Sequence, residues 1–160
     1  MIVRRSPAEL EKLRRSGLLV HRILERLRSM VIEGVSTQDL ELATEKMIAD
    51  AGARPAFKGY STPAAGTKFP YALCASVNEE VVHGMPSAKR KLRAGDIISL
   101  DTGVQLDGYF GDSAITVPVG EVNDSVKRLL NVTEESLELR LTGCVTATGC
   151  SMFAARSRST

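Results

Sequence analysis

The chain has no apolar run long enough to span a bilayer, so a transmembrane helix is not expected. Its opening residues, Met1 to Pro7, carry charge with no apolar core behind it, which does not suit a signal peptide. Three cysteines (Cys74, Cys144 and Cys150) are too few and too scattered for a disulfide framework or a zinc knuckle. A reducing, cytoplasmic setting is the expectation. Charge of one sign is also scarce overall: the net charge is +2, too small to announce nucleic acid. The 160 residues are 43% hydrophobic and 25% charged, which describes a globular domain able to bury a core.

The small basic surplus is local. Arg4, Arg5, Lys12, Arg14, Arg15, Arg22, Arg26 and Arg28 face only Glu9, Glu11 and Glu25 in the opening segment. A solvated helix face is the favoured reading, and contact with a polyanion such as a ribosome surface is the sharper one.

Ser6-Pro7-Ala8-Glu9 is a helix start, with Ser6 as cap and Glu9 closing a capping box. Leu10, Leu13, Gly17, Val20, Leu24, Leu27 and Val31 then recur at helical spacing up to Gly34. Ser36 or Thr37 opens a second helix with Leu40, Ala43, Met47 and Ala51 inward, stopped at Gly52. Residues 54–70 read as a loop carrying Phe57, Tyr60 and Phe69, a composition suited to a pocket wall. Ala72 to Val77 is predicted as a strand, Asn78-Glu79-Glu80 as a turn, and Val81-Val82-His83 as a second strand. Lys89 to Gly95 is a polar connection with four basic residues.

Ile97 to Val104 and Asp112 to Val117 form a β-hairpin with Asp107-Gly108 as its two-residue turn. That register sets Leu100 opposite Ile115 and Ile98 opposite Val117, a plausible core face. Ser99, Asp101, Gly103, Asp112 and Ala114 take the other face. Asp101 and Asp112 become diagonal neighbours, with Cα atoms about 7–8 Å apart. Two carboxylates so close repel unless a cation lies between them. Hard oxygen ligands on strands suit Mn²⁺, Fe²⁺, Co²⁺ or Zn²⁺. From spacing alone this competes evenly with a bland reading, in which Asp101 is a polar strand residue and Asp112 bonds its own backbone. The poor β-propensity of aspartate tips the balance modestly toward the metal. Residues 121–124 open a third helix with Val126, Leu129, Leu130, Thr133 and Leu137 on one face.

Three stretches in this order and spacing, Asn78 to Pro86, Gly95 to Asp101 and Asp107 to Asp112, resemble the type I methionine aminopeptidases. The resemblance covers about residues 6–139. It implies the pita-bread α/β (α+β) fold, here its N-terminal part with two leading helices and the antiparallel hairpin sheet. It implies that Asp101 and Asp112 are two of five ligands to a pair of divalent metal ions (Co, Mn, Fe or Zn). By the same resemblance His83 contacts the substrate and helps stabilise the transition state, while Tyr60, Phe69 and Cys74 form the pocket for a methionine side chain. A lone histidine at a strand end, or a lone buried cysteine, would not carry those roles without the motifs. Ser61 to Lys68 is longer than the family's usual loop. The implied substrate is the N-terminal methionine of nascent polypeptides, with a ribosome surface as a further partner. Neither a membrane nor a specific nucleic-acid sequence is expected.

The implied remaining ligands, a histidine and two glutamates, have no counterpart: no histidine follows His83, and Glu134, Glu135 and Glu138 lie on the third helix. Residues 140–160 contain no Asp or Glu and no sustained periodicity, unlike residues 1–139. A frame-shifted or disordered tail is expected there, on a chain truncated relative to the family and poorly soluble by itself. Two other readings compete: a related peptidase acting on proline-containing peptides, and a non-catalytic half-length paralogue binding nascent chains or ribosomes.

Overall fold

The computed structural model describes residues 4–61 and 68–145. The chain divides into two compact units, residues 1–121 and 122–160.

In the first unit, α1 (Pro7–Met30) starts at the expected capping box: Ser6 accepts from the Glu9 amide and Glu9 reaches back to the Ser6 amide. Helix α2 (Thr37–Asp50) repeats the device with Ser36 and Asp39. Four strands follow: β1 (Arg54–Pro55), β2 (Leu73–Val77), β3 (Ile97–Leu106) and β4 (Tyr109–Pro118). Strand β3 is central, with β4 on one side and β2 and β1 on the other, all antiparallel.

The hairpin register is the expected one. Leu106 pairs Tyr109, Leu100 pairs Ile115, and Ile98 pairs Val117. Asp107 (φ 51°) and Gly108 (φ 83°) both have positive φ, the mark of the turn whose twist matches the strands. One sheet face, with Leu73, Ala75, Val77, Ile98, Leu100, Val104 and Val117, joins Val20, Ile23, Leu24 and Leu27 of α1 and Leu40 and Ile48 of α2 in the core. Helix α1 lies against β4 so closely that a methyl group at Gly111 would come 2.6 Å from the Ser16 carbonyl carbon. Ser16, fully buried, fastens this crossing by donating to the Tyr109 carbonyl at 3.0 Å.

Three local expectations are corrected. Val81-Val82-His83 is irregular chain, not a strand, because His83 takes a positive φ of 59° that extended pairing cannot use. The inner faces of the helices match in part: Val20, Leu24, Leu27, Val31 and Leu40 are buried as expected, with Ala43 and Met47 packed against the core, but not every expected position is. Leu10 is 54% exposed, and α2 buries Thr37, Leu40, Glu41, Thr44 and Ile48, while Ala51 is exposed. Arg54–Pro55, expected as loop, pairs briefly with Gln105 and Val104.

In the second unit, Asn123 accepts from the Val126 amide and opens α3 (Asp124–Val145). The helix runs six residues beyond Leu139, where its pattern was expected to fail. The remaining residues of the expected divergent tail, 146–160, lie outside the described residues. Among the described residues no helix is long and apolar enough to cross a membrane.

Candidate metal and peptide site

Opposite the core, the sheet carries a polar face built by strand alternation. Asp101 pairs Cys74 on β2 and Ala114 on β4, and Asp112 pairs Gly103, so Asp112 is the diagonal neighbour of Asp101. The Asp112 charge acts directly on Asp101. Burial raises the pKa of Asp101 from its ordinary value, the Asp112 charge raises it further, and His83 opposes them. Asp101 is half-buried, whereas Asp112 and His83 are exposed.

His83 reaches this face through its neighbour. The Gly84 amide donates to Ser76 Oγ at 3.1 Å, and the Gly84 carbonyl accepts from the Ala75 amide at 2.9 Å. A side chain at Gly84 would collide with Ala75 O at 2.4 Å, so only glycine permits this backbone-to-backbone seat. His83, at positive φ beside this seat, opposes the rise in the Asp101 pKa electrostatically. A non-glycine residue held at positive φ stores strain that recurs at functional sites.

Asn78, also at positive φ (55°), ties the ends of β2 and β3 together. Its side chain donates to Asp96 and accepts from the Ile97 amide, at 2.8 and 2.9 Å. Glu80 accepts from the Val77 amide at 2.8 Å. The Asn-Glu-Glu turn is therefore scaffold for the site.

Cys74 is buried directly across from Asp101. Burial first, then the nearby carboxylates Asp101, Glu41 and Asp112, push its thiol up to about 11, so it stays neutral at pH 7. Tyr60 and Phe69 face each other at the base of the loop between them. The Phe69 amide donates to the Tyr60 carbonyl at 2.8 Å, and the Phe69 ring stands edge-on to Tyr71 at 5.9 Å. Tyr60 is 64% exposed and Phe69 half-buried. Residues 62–67 of the long loop lie outside the described residues.

Glu41 went unread in the sequence. It is 1% exposed, and its two carboxylate oxygens accept the Ala72 and Leu73 amides, each at 2.8 Å. Thr102 holds the same Ala72 peptide from its carbonyl side at 3.0 Å. The strand bearing Cys74 is thus clamped at its start. An acid lying between Leu40 and Thr44 on a helix stripe was the available signal.

Asp101 and Asp112 are diagonal neighbours on one sheet face, and the Asp112 charge adds to burial in raising the Asp101 pKa, a repulsion that a cation between them would relieve. Among the described residues no group of three or more His, Cys, Asp or Glu side chains could hold a metal ion.

The profile of metallopeptidase family M24 matches residues 11–156. The chain belongs to that metallopeptidase family, and its fold is the N-terminal part of the pita-bread architecture. Within the family its similarity is to the methionine aminopeptidases. It is 47% identical over 137 residues to methionine aminopeptidase 1 of Bacillus subtilis, covering 86% of this chain and 52% of that protein. It is 43% identical over 132 residues to the methionine aminopeptidase of Aquifex aeolicus, covering 82% of this chain and 51% of that one. The crystal structure of methionine aminopeptidase from Thermotoga maritima superposes with a TM-score of 0.80 at 38% identity, over 88% of this chain and 54% of that one. Aminopeptidase P of Escherichia coli, at 23% identity and a TM-score of 0.69, shares the fold. The chain spans about half the length of the curated relatives it matches.

Proposed function

We propose that this chain carries the aspartate half of a methionine aminopeptidase site, which removes the initiator methionine from nascent proteins in the cytoplasm. The observation that carries the reading is the diagonal placement of Asp101 and Asp112 on one sheet face, with Cys74 paired across from Asp101 and His83 acting on Asp101 electrostatically. Asp101 and Asp112 are the metal ligands in this reading. They would hold part of a pair of divalent ions (Co, Mn, Fe or Zn), whose chemistry when bound would be to lower the pKa of a water and polarise a peptide carbonyl.

The chain's own residues supply the rest. His83, seated by Gly84, offers a donor to the peptide carbonyl as charge develops on it. Cys74 stays a neutral, soft contact for a thioether, and Tyr60 and Phe69 add aromatic surface beside it. The domain so defined runs over residues 1–139, with 140–160 as a divergent tail. Charge on α1 suits a ribosome surface only weakly, because Arg5, Arg14, Arg15 and Arg28 are engaged by Glu9, Glu11, Asp107 and Glu25.

The test is release of methionine from a Met-Ala peptide, assayed with each of the four metals, with and without EDTA. Metal-dependent release that disappears in Asp101→Asn and in Asp112→Asn supports the reading. Release that persists in either variant, or equal cleavage of an Ala-Ala peptide, refutes it.

A further inference from the structure

Away from the aspartate face, where the turn after β2 meets the connection into β3, the surface forms a cavity of about 510 Å³. Four cationic side chains line it: Lys89, Arg90, Lys91 and Arg93. All four are exposed, and among the described residues none makes an ion pair within 4 Å. Arg14, Arg15 and Arg28 of α1 do make such pairs.

The loop bearing these cations is held firmly from below. Leu92, 1% exposed, is its buried anchor. The Leu92 amide donates to the Val35 carbonyl at 2.8 Å and its carbonyl accepts the Gly34 amide at 2.8 Å. The Arg90 carbonyl accepts the Thr37 amide at 3.0 Å, and Lys91 bridges to Ser36. Lys91 and Arg93 flank the buried Leu92 and point away from it, and Lys89 and Arg90 are exposed beside them on the same fixed backbone, which lowers the ordering cost of binding.

Two acids share the lining. Asp96 is internally satisfied: Asn78 donates to one oxygen and the Arg93 amide to the other, at 2.8 and 2.9 Å. Arg90 and Arg93 act on Asp96 electrostatically, and Lys91 acts likewise on Asp39. Counting Asp96 and Glu79 against the four cations leaves 4 − 2 = +2 in the groove. Glu79 is exposed at its rim.

We infer that this groove binds the sugar-phosphate backbone of RNA without reading its sequence. Four cations along one short, anchored loop match a chain of phosphates better than a single small anion. No large apolar side chain lines the groove, which disfavours a lipid surface, and no aromatic ring is there to stack a base. Carboxylates only repel a DNA backbone, but the exposed Glu79 carboxylate gives a ribose 2′-hydroxyl an acceptor that DNA cannot use. The inference is independent of the peptidase reading, since none of Asp101, Asp112, His83 and Cys74 lines the groove.

The experiment is fluorescence anisotropy of the full chain with a labelled 12-nucleotide single-stranded RNA, from 50 to 200 mM salt. Four phosphate contacts predict a slope of log affinity on log salt of about −2.8, a weakening of roughly 50-fold across that range. Arg90→Gln with Arg93→Gln should halve the slope, leaving roughly a 7-fold weakening. Lys89→Gln with Lys91→Gln should do the same, so one pair failing to fold leaves the other as the test. Arg22→Gln with Arg26→Gln, equal in net charge and placed on α1, should leave the slope unchanged. The inference is overturned if the α1 pair lowers the slope as much as the groove pairs, or if neither groove pair moves it. Tighter binding of DNA of the same length overturns it as well.

Discussion

Replacing Glu41 by alanine removes the acceptor of two buried main-chain amides at once. Each is a 2.8 Å bond to a carboxylate in a site with 1% exposure. Hydrogen bonds to charged acceptors contribute about 1.5–3 kcal/mol each, so the gross loss is about 3–6 kcal/mol. Burying the carboxylate itself costs folding energy, and burial accordingly raises its pKa, with the Ala72 and Leu73 amides pulling the other way. Removing that cost offsets part of the loss, leaving about 2–4 kcal/mol. Urea unfolding followed by far-UV circular dichroism should show a lower midpoint at unchanged slope. Glu41→Gln, which keeps one acceptor, should fall between wild type and Glu41→Ala. The folded-state pKa of Glu41 lies above its unfolded value, so the folded protein binds more protons between the two. Its contribution to stability therefore falls as pH rises through that interval, and the gap to Glu41→Gln should be larger at pH 4 than at pH 7. A loss under about 0.5 kcal/mol for Glu41→Ala, the range of an ordinary surface substitution, would refute the clamp.

The hairpin and the thiol give further predictions. Gly111→Val should cost about 1–3 kcal/mol or more, because its Cβ meets the Ser16 backbone at 2.6 Å; an unchanged melting midpoint would contradict the α1 crossing. The Cys74 thiol, raised to about 11 and buried, should react with a disulfide reagent far more slowly at pH 8 than a free cysteine in the urea-unfolded chain. Equal rates would mean that the pocket is open. Asp112→Ala should bring the Asp101 pKa down by removing a neighbouring charge, while burial keeps it raised; carboxyl-carbon NMR titration reads the change directly.

Much of the site was legible because strand geometry is periodic. A two-residue turn at Asp107-Gly108 fixes every pair above it, so the diagonal placement of Asp101 and Asp112 followed from counting. Cys74 was legible only by resemblance, since nothing in the sequence says that β2 pairs β3 at Asp101. The 81–83 segment misled because Val81 and Val82 have high β-propensity, yet they are 87% and 62% exposed. What decides that segment is the close seat of Gly84 on Ala75, a tertiary contact. Glu41 was missed for a similar reason: an acid belongs in a core only where main-chain donors await it, and those come from 31 and 32 residues further along. The basic connection at 89–93 read as polar loop, and Leu92 as its anchor was visible only once packed.

The central claim is that Asp101 and Asp112 together hold a divalent cation. Electron paramagnetic resonance of Mn²⁺ titrated into the folded chain measures this directly, through loss of the free-ion signal. The account predicts weak but saturable binding by the wild type that is lost in both Asp101→Asn and Asp112→Asn, with the melting midpoint preserved in each. Binding curves that coincide for wild type and either variant would contradict it.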